Sequence, residues 1–338
     1  MERNVGAESP RPQRELGRGD PAPTGVVLAI DIGGTKLAAG LVRSDGEVVG
    51  GESTPTRGSG SASALFGDLV ALCDGVLRSA GLQPSHLAGV GVGCGGPMLY
   101  PEGRVSPLNI PAWRDFPLRA SLRQRYGRRV VVDNDAKAFA LGEHWLGAGR
   151  GARCLLGMVI STGVGGGIVE NGRLIHGARG NAGHVGHVIA FPNGPRCECG
   201  ARGCVEAIAS GTGLARRARD ASARGGWPDL PPEATAAEIA QAARGDNRVA
   251  RRLIEEAGIA VGRGVAAAAV LLDIDRVVVG GGVAAGAGDL LLEPLRRELA
   301  RTARLEFCRD VTVSLSELGV SAALAGAAAL ILRRGEPK

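Results

Sequence analysis

The sequence predicts an α/β fold organised as two lobes of related design. Three observations carry this. Apolar runs of strand length alternate with amphipathic helical stretches through most of the chain. One pattern occurs twice, over 26–54 and again over 154–175: strand, glycine-rich turn, strand, Asp-Gly or Asn-Gly turn, strand. Finally, 338 residues of which 44% are hydrophobic suffice for one large domain or two lobes with real cores.

In order along the chain, residues 1–24 are rich in Arg, Gly, Pro and Glu and lack an apolar h-region. They are expected to be a disordered tail and not a signal peptide. Order begins near Gly25 with the first three-strand pattern, turning at Gly33-Gly34 and Asp45-Gly46. An amphipathic helix is expected over 61–80, a buried strand over 87–94 and a short helix over 117–126. Arg129 to Asn134 reads as a strand that ends on Asp133-Asn134-Asp135 and runs into a helix. Asp135 can stand at that helix N-terminus, where the dipole favours a carboxylate. The second three-strand pattern turns at the glycines after Ser161 and at Asn171-Gly172. Helical periodicity then covers 211–223 and 235–272, linked through 227–232. A strand over 275–280 runs into a third glycine turn, and 290–304, 311–318 and 320–333 read as helix, strand and closing helix.

Composition narrows the classes of function. Aromatics are only 3% and glycines number 55, so the cores must be built from Ala, Val, Leu and Ile. The net charge is +6, yet lysine occurs only at Lys36, Lys137 and Lys338. No basic patch interleaved with aromatics is present, so no nucleic-acid partner is expected. The Ala-rich run over 264–272 is too short to span a bilayer, and no membrane role is expected. Cys73, Cys94, Cys154 and Cys308 are scattered in apolar surroundings and read as buried thiols, which fits a reducing, cytoplasmic setting.

Three glycine turns, each after an apolar strand, can present backbone N–H groups to anionic oxygens. The first offers Gly33 and Gly34, with Thr35 and Lys36 for phosphate and Asp31 for the hydration shell of Mg²⁺. The second offers Ser161, Thr162, Gly163 and Gly165. The third, with Gly281 and Gly282, presents a flat backbone against which a purine could lie. Any one of them is common in α/β proteins, and neither a Walker A spacing nor a G-x-G-x-x-G before a helix is present. Three together with Asp31 point to a nucleotide in a cleft.

The segment 184–206 places Cys197, Cys199 and Cys204 in a tight cluster downstream of His184 and His187. Three thiols and one imidazole make a closed tetrahedral set, the donor set of a structural Zn²⁺. Three unrelated cysteines or a disulfide are the bland alternatives.

These motifs, DIGGTK, NDA, STGVGGG, GH followed by CxCGxxGCxE, and VVVGGGV, stand in the order seen in the ROK family of sugar kinases and regulators, which this chain resembles from about Gly25 onward. The resemblance implies an actin-like ATPase fold of two RNase H-like lobes. The first would cover 25–136, the second 137–317 with its zinc loop at 184–206, and a C-terminal helix within 318–338 would return to the first lobe. It implies ATP with Mg²⁺ in the cleft, structural Zn²⁺, and phosphorylation of a sugar 6-hydroxyl. Asp135 then looks like the general base, and one well-placed carboxylate suffices for phosphoryl transfer. Asn109, Asn134, Glu206 and His187 look like sugar-side residues, with His187 also completing the zinc set of Cys197, Cys199 and Cys204. Family members are often dimers or tetramers, so a homodimer or homotetramer is expected.

The chain departs from the family pattern at two places. The family usually reads G-E-x-G-H before the cysteines, and here His184 takes the Glu position. A neutral imidazole offers one donor and one acceptor where a carboxylate only accepts, which bears on sugar choice. The turn Gly95-Gly96-Pro97 stands where Pro-Gly-Pro is more usual. The resemblance therefore implies a glucose kinase first. Its rivals are a kinase of an amino sugar, such as N-acetylmannosamine or N-acetylglucosamine, or of a sugar-like cyclitol. A sugar-sensing repressor would need a helix-turn-helix, for which the residues before Gly25 are too few and too polar. A sugar-binding protein without activity is disfavoured by Asp31, Asp135 and the phosphate turns.

Overall fold

A computed structural model describes residues 25–57 and 60–333. The expected disordered tail at 1–24 lies outside the described residues. β1 (Val26–Ile32), β2 (Lys36–Val42) and β3 (Val48–Pro55) form an antiparallel meander. α1 (Ala62–Ser79) is capped by Ser61, whose hydroxyl accepts the Ala64 N–H, and buries its Leu65–Leu69–Leu72–Val76 stripe. β4 (Leu87–Cys94) then enters beside β1 in parallel. A two-stranded ribbon of β5 (Met98–Leu99) and β6 (Arg104–Val105) follows, then α2 (Leu118–Tyr126) and β7 (Val130–Asn134), which pairs in parallel with β4. The first sheet thus has the order β3-β2-β1-β4-β7.

α3 (Asp135–Leu146) leaves β7 and leads into β8 (Cys154–Ile160), β9 (Val164–Glu170) and β10 (Arg173–Leu174). The zinc-loop segment comes next and ends in α4 (Val205–Ala209). α5 (Gly211–Ala223), α6 (Ala236–Arg244) and α7 (Arg248–Leu272) precede β11 (Arg276–Gly280), α8 (Gly282–Ala287), α9 (Asp289–Thr302), β12 (Thr312–Leu315) and α10 (Ala322–Leu332). The second sheet runs β10-β9-β8-β11-β12, with β8–β9–β10 antiparallel and β11 parallel to β8 and β12. The two sheets therefore share one design, a meander extended by two parallel strands.

One expected helix is two. Periodicity runs unbroken over 235–272, but Gly245-Asp246-Asn247 interrupts it: Asp246 has φ +68°, and the Asn247 side chain accepts from the Val249 and Ala250 N–H groups to start α7. A local cap overrides the apolar pattern there. α6 opens on a capping box between Thr235 and Glu238.

Two small-residue helices join the lobes. α10 packs on β1 and β4 of the first sheet and on α3. At Gly91 a Cβ would stand 1.9 Å from the Ala327 carbonyl oxygen, so only glycine allows that approach. α3 in turn lies on β8 and β9. Among the described residues no helix is long and apolar enough to cross a membrane.

Candidate active site

The site is built at the carboxyl ends of parallel strands, where open α/β sheets bind ligands. Register places Asp31 on β1 opposite Gly93 on β4, and Gly93 opposite Asp133 on β7. A Cβ at Gly93 would lie 3.6 Å from Asp31 Oδ1 and 3.4 Å from the Asp135 Cα, so Gly93 stands between the two residues. Asn134 caps α3: its Oδ1 accepts the Ala136 N–H at 3.1 Å, and Asp135 Oδ1 accepts the same group at 2.8 Å. Asp135 itself occupies the first helical position.

Asp135 is exposed on one side but crowded by protein on its others. That desolvation raises its carboxyl pKa, opposed by the Ala136 N–H, its own N–H and the nearby His184. Asp31 is pushed up to about 6, first by burial and then by the Asp135 charge, with Lys36 acting the other way. Buried Cys94 next to them is raised well above the ordinary thiol value by burial and by both aspartates.

The first glycine turn closes with the Gly33 N–H on the Lys36 carbonyl at 2.9 Å, and Thr56 Oγ1 donates to the Gly33 carbonyl at 2.7 Å. Thr35 and Lys36 are exposed beside it. Asn109, also exposed, stands over Gly34, where a Cβ would be 2.4 Å from its own Cβ. The turn and the 106–110 loop are therefore in contact. In the second turn Ser161 and Thr162 carry backbone bonds to Gly211 and Thr212, while Gly165 abuts Ala136 just after Asp135. Gly281 has φ +94° and a Cβ there would meet the Ile160 carbonyl at 2.4 Å, so the third turn fits against the second only as glycine. Gly282 opens α8 with free space before it.

On the other side, one donor atom each from His187, Cys197, Cys199 and Cys204 lies within 4.8 Å of the others. Cys199 Sγ and Cys204 Sγ are 3.7 Å apart and Cys197 Sγ is 3.8 Å from His187 Nδ1. A tetrahedral ion with bonds of about 2.3 Å to sulfur needs edges of roughly 3.8 Å, so this donor set fits zinc. His187 presents Nε2 to Glu206 Oε1 at 4.0 Å. The other Glu206 oxygen accepts the Val164 N–H at 2.9 Å, a tie to the second glycine turn that the sequence did not reveal. His184 is exposed, and its Nδ1 meets the Asn181 carbonyl at 2.8 Å. A carbonyl only accepts, so Nδ1 carries a proton toward it and Nε2 is left pointing elsewhere.

Residues 27–334 match the ROK family. The chain belongs to that family. The glucokinase of Thermotoga maritima is 34% identical over 317 residues, covering 91% of this chain and 98% of that protein. The N-acetylmannosamine kinase of Citrobacter koseri is 37% identical over 303 residues, covering 90% and 97%. Among solved structures, the ROK family glucokinase from Streptomyces griseus in complex with glucose and AMPPNP aligns with a TM-score of 0.76 at 32% identity, over 90% of this chain and 99% of that one.

Motif reading passed over one part of this ROK cleft. Behind Asn134 and Asp135 lies a cluster of buried Asp133 and Lys137 with half-buried His176 and Tyr100. Lys137 Nζ is 3.5 Å from Asp133 Oδ1, and His176 Nδ1 is 3.3 Å from Asp133 Oδ2. The available signal was a lysine, one of three in the chain, inside an otherwise apolar helix stretch.

Proposed function

We propose that the chain is an ATP-dependent hexokinase-type phosphotransferase that moves the γ-phosphate to the 6-hydroxyl of a hexose, with glucose as its first substrate. The observation that carries this is Asp135, exposed on one side and crowded at the first position of α3, with Asp31 beside it and glycine turns on both sheets. Asp135 takes the proton from the sugar hydroxyl as the O6–Pγ bond forms and the bond from Pγ to the bridging oxygen of ADP breaks. Thr35, Lys36 and the N–H groups of Gly34, Thr162, Gly163 and Gly165 receive the phosphates, with Gly33 shaping the first turn through its own N–H bond to the Lys36 carbonyl, and Gly281 and Gly282 receive the base. Asp31 would hold the water shell of Mg²⁺, which when bound offsets charge on the phosphates. Asn109, Asn134, His184, His187 and Glu206 face the sugar.

His187, Cys197, Cys199 and Cys204 would hold Zn²⁺ as a closed, structural set. Its role is to fix the loop that carries His187 and leads to Glu206. An amino-sugar kinase is the second reading, favoured by the Citrobacter koseri relative and by His184 in place of the family's Glu.

The test is ADP release from MgATP against glucose, mannose, glucosamine, N-acetylmannosamine, N-acetylglucosamine and several cyclitols. Turnover led by glucose is expected. Turnover confined to an amino sugar or cyclitol would transfer the assignment to the second reading, and none on any acceptor would overturn the kinase assignment.

A further inference from the structure

Lys137 is buried, with a side chain 1% exposed, and so is Asp133 at 0%. An ammonium is retained in such a place only with partners, and an apolar residue of the same length would pack there at less cost. Its partners are specific. Asp133 Oδ1 lies 3.5 Å from Nζ, and Nζ donates to the Gly180 carbonyl. The Tyr100 ring lies under the ammonium at 5.8 Å. Tyr100 stacks on His176 at 4.3 Å and 14°, and its hydroxyl is 3.3 Å from His176 Nε2. Gly180 has φ +77° and is pressed on Tyr100, where a Cβ would meet the tyrosine Cβ at 2.3 Å. The Asp133 carboxylate also accepts the Asn134 N–H at 2.8 Å, at the root of the residues that carry the chemistry. The residue after Gly180 is Asn181, whose carbonyl orients the His184 ring.

We propose that Lys137 is a positioning residue for the sugar side of the cleft: held by Asp133, its ammonium fixes the Gly180 carbonyl and, through Asn181, the direction of the His184 ring relative to Asp135. The inference rests on the kinase assignment above for its consequence in sugar binding, and on packing alone for its mechanical part. Burial lowers the His176 pKa and the Lys137 charge adds to this, against Asp133, so the histidine stays neutral and the carboxylate belongs to the lysine.

Removing only the amine, as in Lys137→Met, strands a buried carboxylate and mixes two effects. The informative variant is Asp133→Asn/Lys137→Met in the full chain, which removes both charges. If the pair merely balances charge, this variant has parental sugar KM and parental amide exchange. If Lys137 positions the loop, sugar KM rises about tenfold while ATP KM moves by less than about twofold, the signature of one misplaced wall. Amide hydrogen exchange over 177–187 then accelerates by about tenfold as well. Parental exchange over 177–187 overturns the positioning role, whatever the kinetics. Faster exchange with unchanged sugar KM, or with an equal rise in ATP KM, overturns its link to the sugar. In the unmodified protein, the bonded amides of Ala182, Val185 and His187 should exchange more slowly than those of an unpacked loop. Exchange at the rate of an exposed loop contradicts the proposal without any variant. A parent with no turnover on any sugar would remove the kinase assignment and leave exchange to decide the Lys137 role.

Discussion

Asp31 is close enough to Asp135 for the Asp135 charge to act on its carboxyl, and that closeness has a measurable cost. In the unfolded chain Asp31 would titrate near 3.8, and in the fold it titrates near about 6. The folded protein therefore binds this proton more tightly. The associated stabilisation is complete below 3.8 and is lost as pH rises to about 6. Asp31→Asn should accordingly melt higher than the parent at pH 7.5 while binding MgATP more weakly; a lower melting temperature contradicts the assigned environment. An ionised Asp31 is also the form that suits a cation, so kcat/KM for MgATP should fall on the acid side with an apparent pKa of about 6. A flat profile from pH 5 to 7 would remove Asp31 from that role. At this scale Asp31, Asn134 and Asp135 were legible because each sits in a short motif at a strand end. Asn134 as the α3 cap and Glu206 as a partner of the Val164 N–H were not, since both depend on where the backbone N–H groups point. The Asp133–Lys137–His176 cluster was hidden for a related reason: its members are up to 43 residues apart and meet only in three dimensions.

At the scale of elements, the segment over 184–206 is held by turn-type backbone bonds and by two isolated bridges, Ile189 to Cys204 and Arg196 to Arg202, with no strand pairing into either large sheet. Its shape should depend on the four donor side chains. Mass spectrometry should find one zinc per chain, and Cys199→Ser should lower zinc content and sugar turnover together by about tenfold or more, as supports of metal sites do. A fully active, zinc-free variant would show that the ion is dispensable. The closing helix offers a second test. Gly91→Ala puts a methyl group 1.9 Å from the Ala327 carbonyl oxygen, which must push α10 off the first sheet. The expected cost is about 1–3 kcal/mol, seen as a fall of several degrees in melting temperature. An unchanged melt would mean that α10 docks more loosely than described. Most elements were legible because strand periodicity and glycine turns are local signals. The break between α6 and α7 was not, because three polar residues decide it inside an unbroken apolar rhythm.

For the whole molecule, the repeated hairpin pattern in the sequence anticipated two sheets of one design. Their strand orders match, β3-β2-β1-β4-β7 and β10-β9-β8-β11-β12. Less legible was how the lobes join: α3 carries Asp135 out of the first sheet and lies on the second, with α10 against it. Chain order alone does not reveal which helix bridges two sheets, because an Ala-rich helix fits either one. The arrangement places Asp135, the proposed base, on the helix that contacts both sheets, so its position depends on how the two sheets pack. The measurement that tests this account most directly is the product formed from glucose and MgATP, followed by nuclear magnetic resonance, by the parent and by Asp135→Asn at equal zinc content. The account predicts glucose 6-phosphate and ADP in equal amounts from the parent, and a rate about a thousandfold lower from a variant that melts like the parent. No phosphorylated hexose from the parent, or parental turnover from Asp135→Asn, would contradict it.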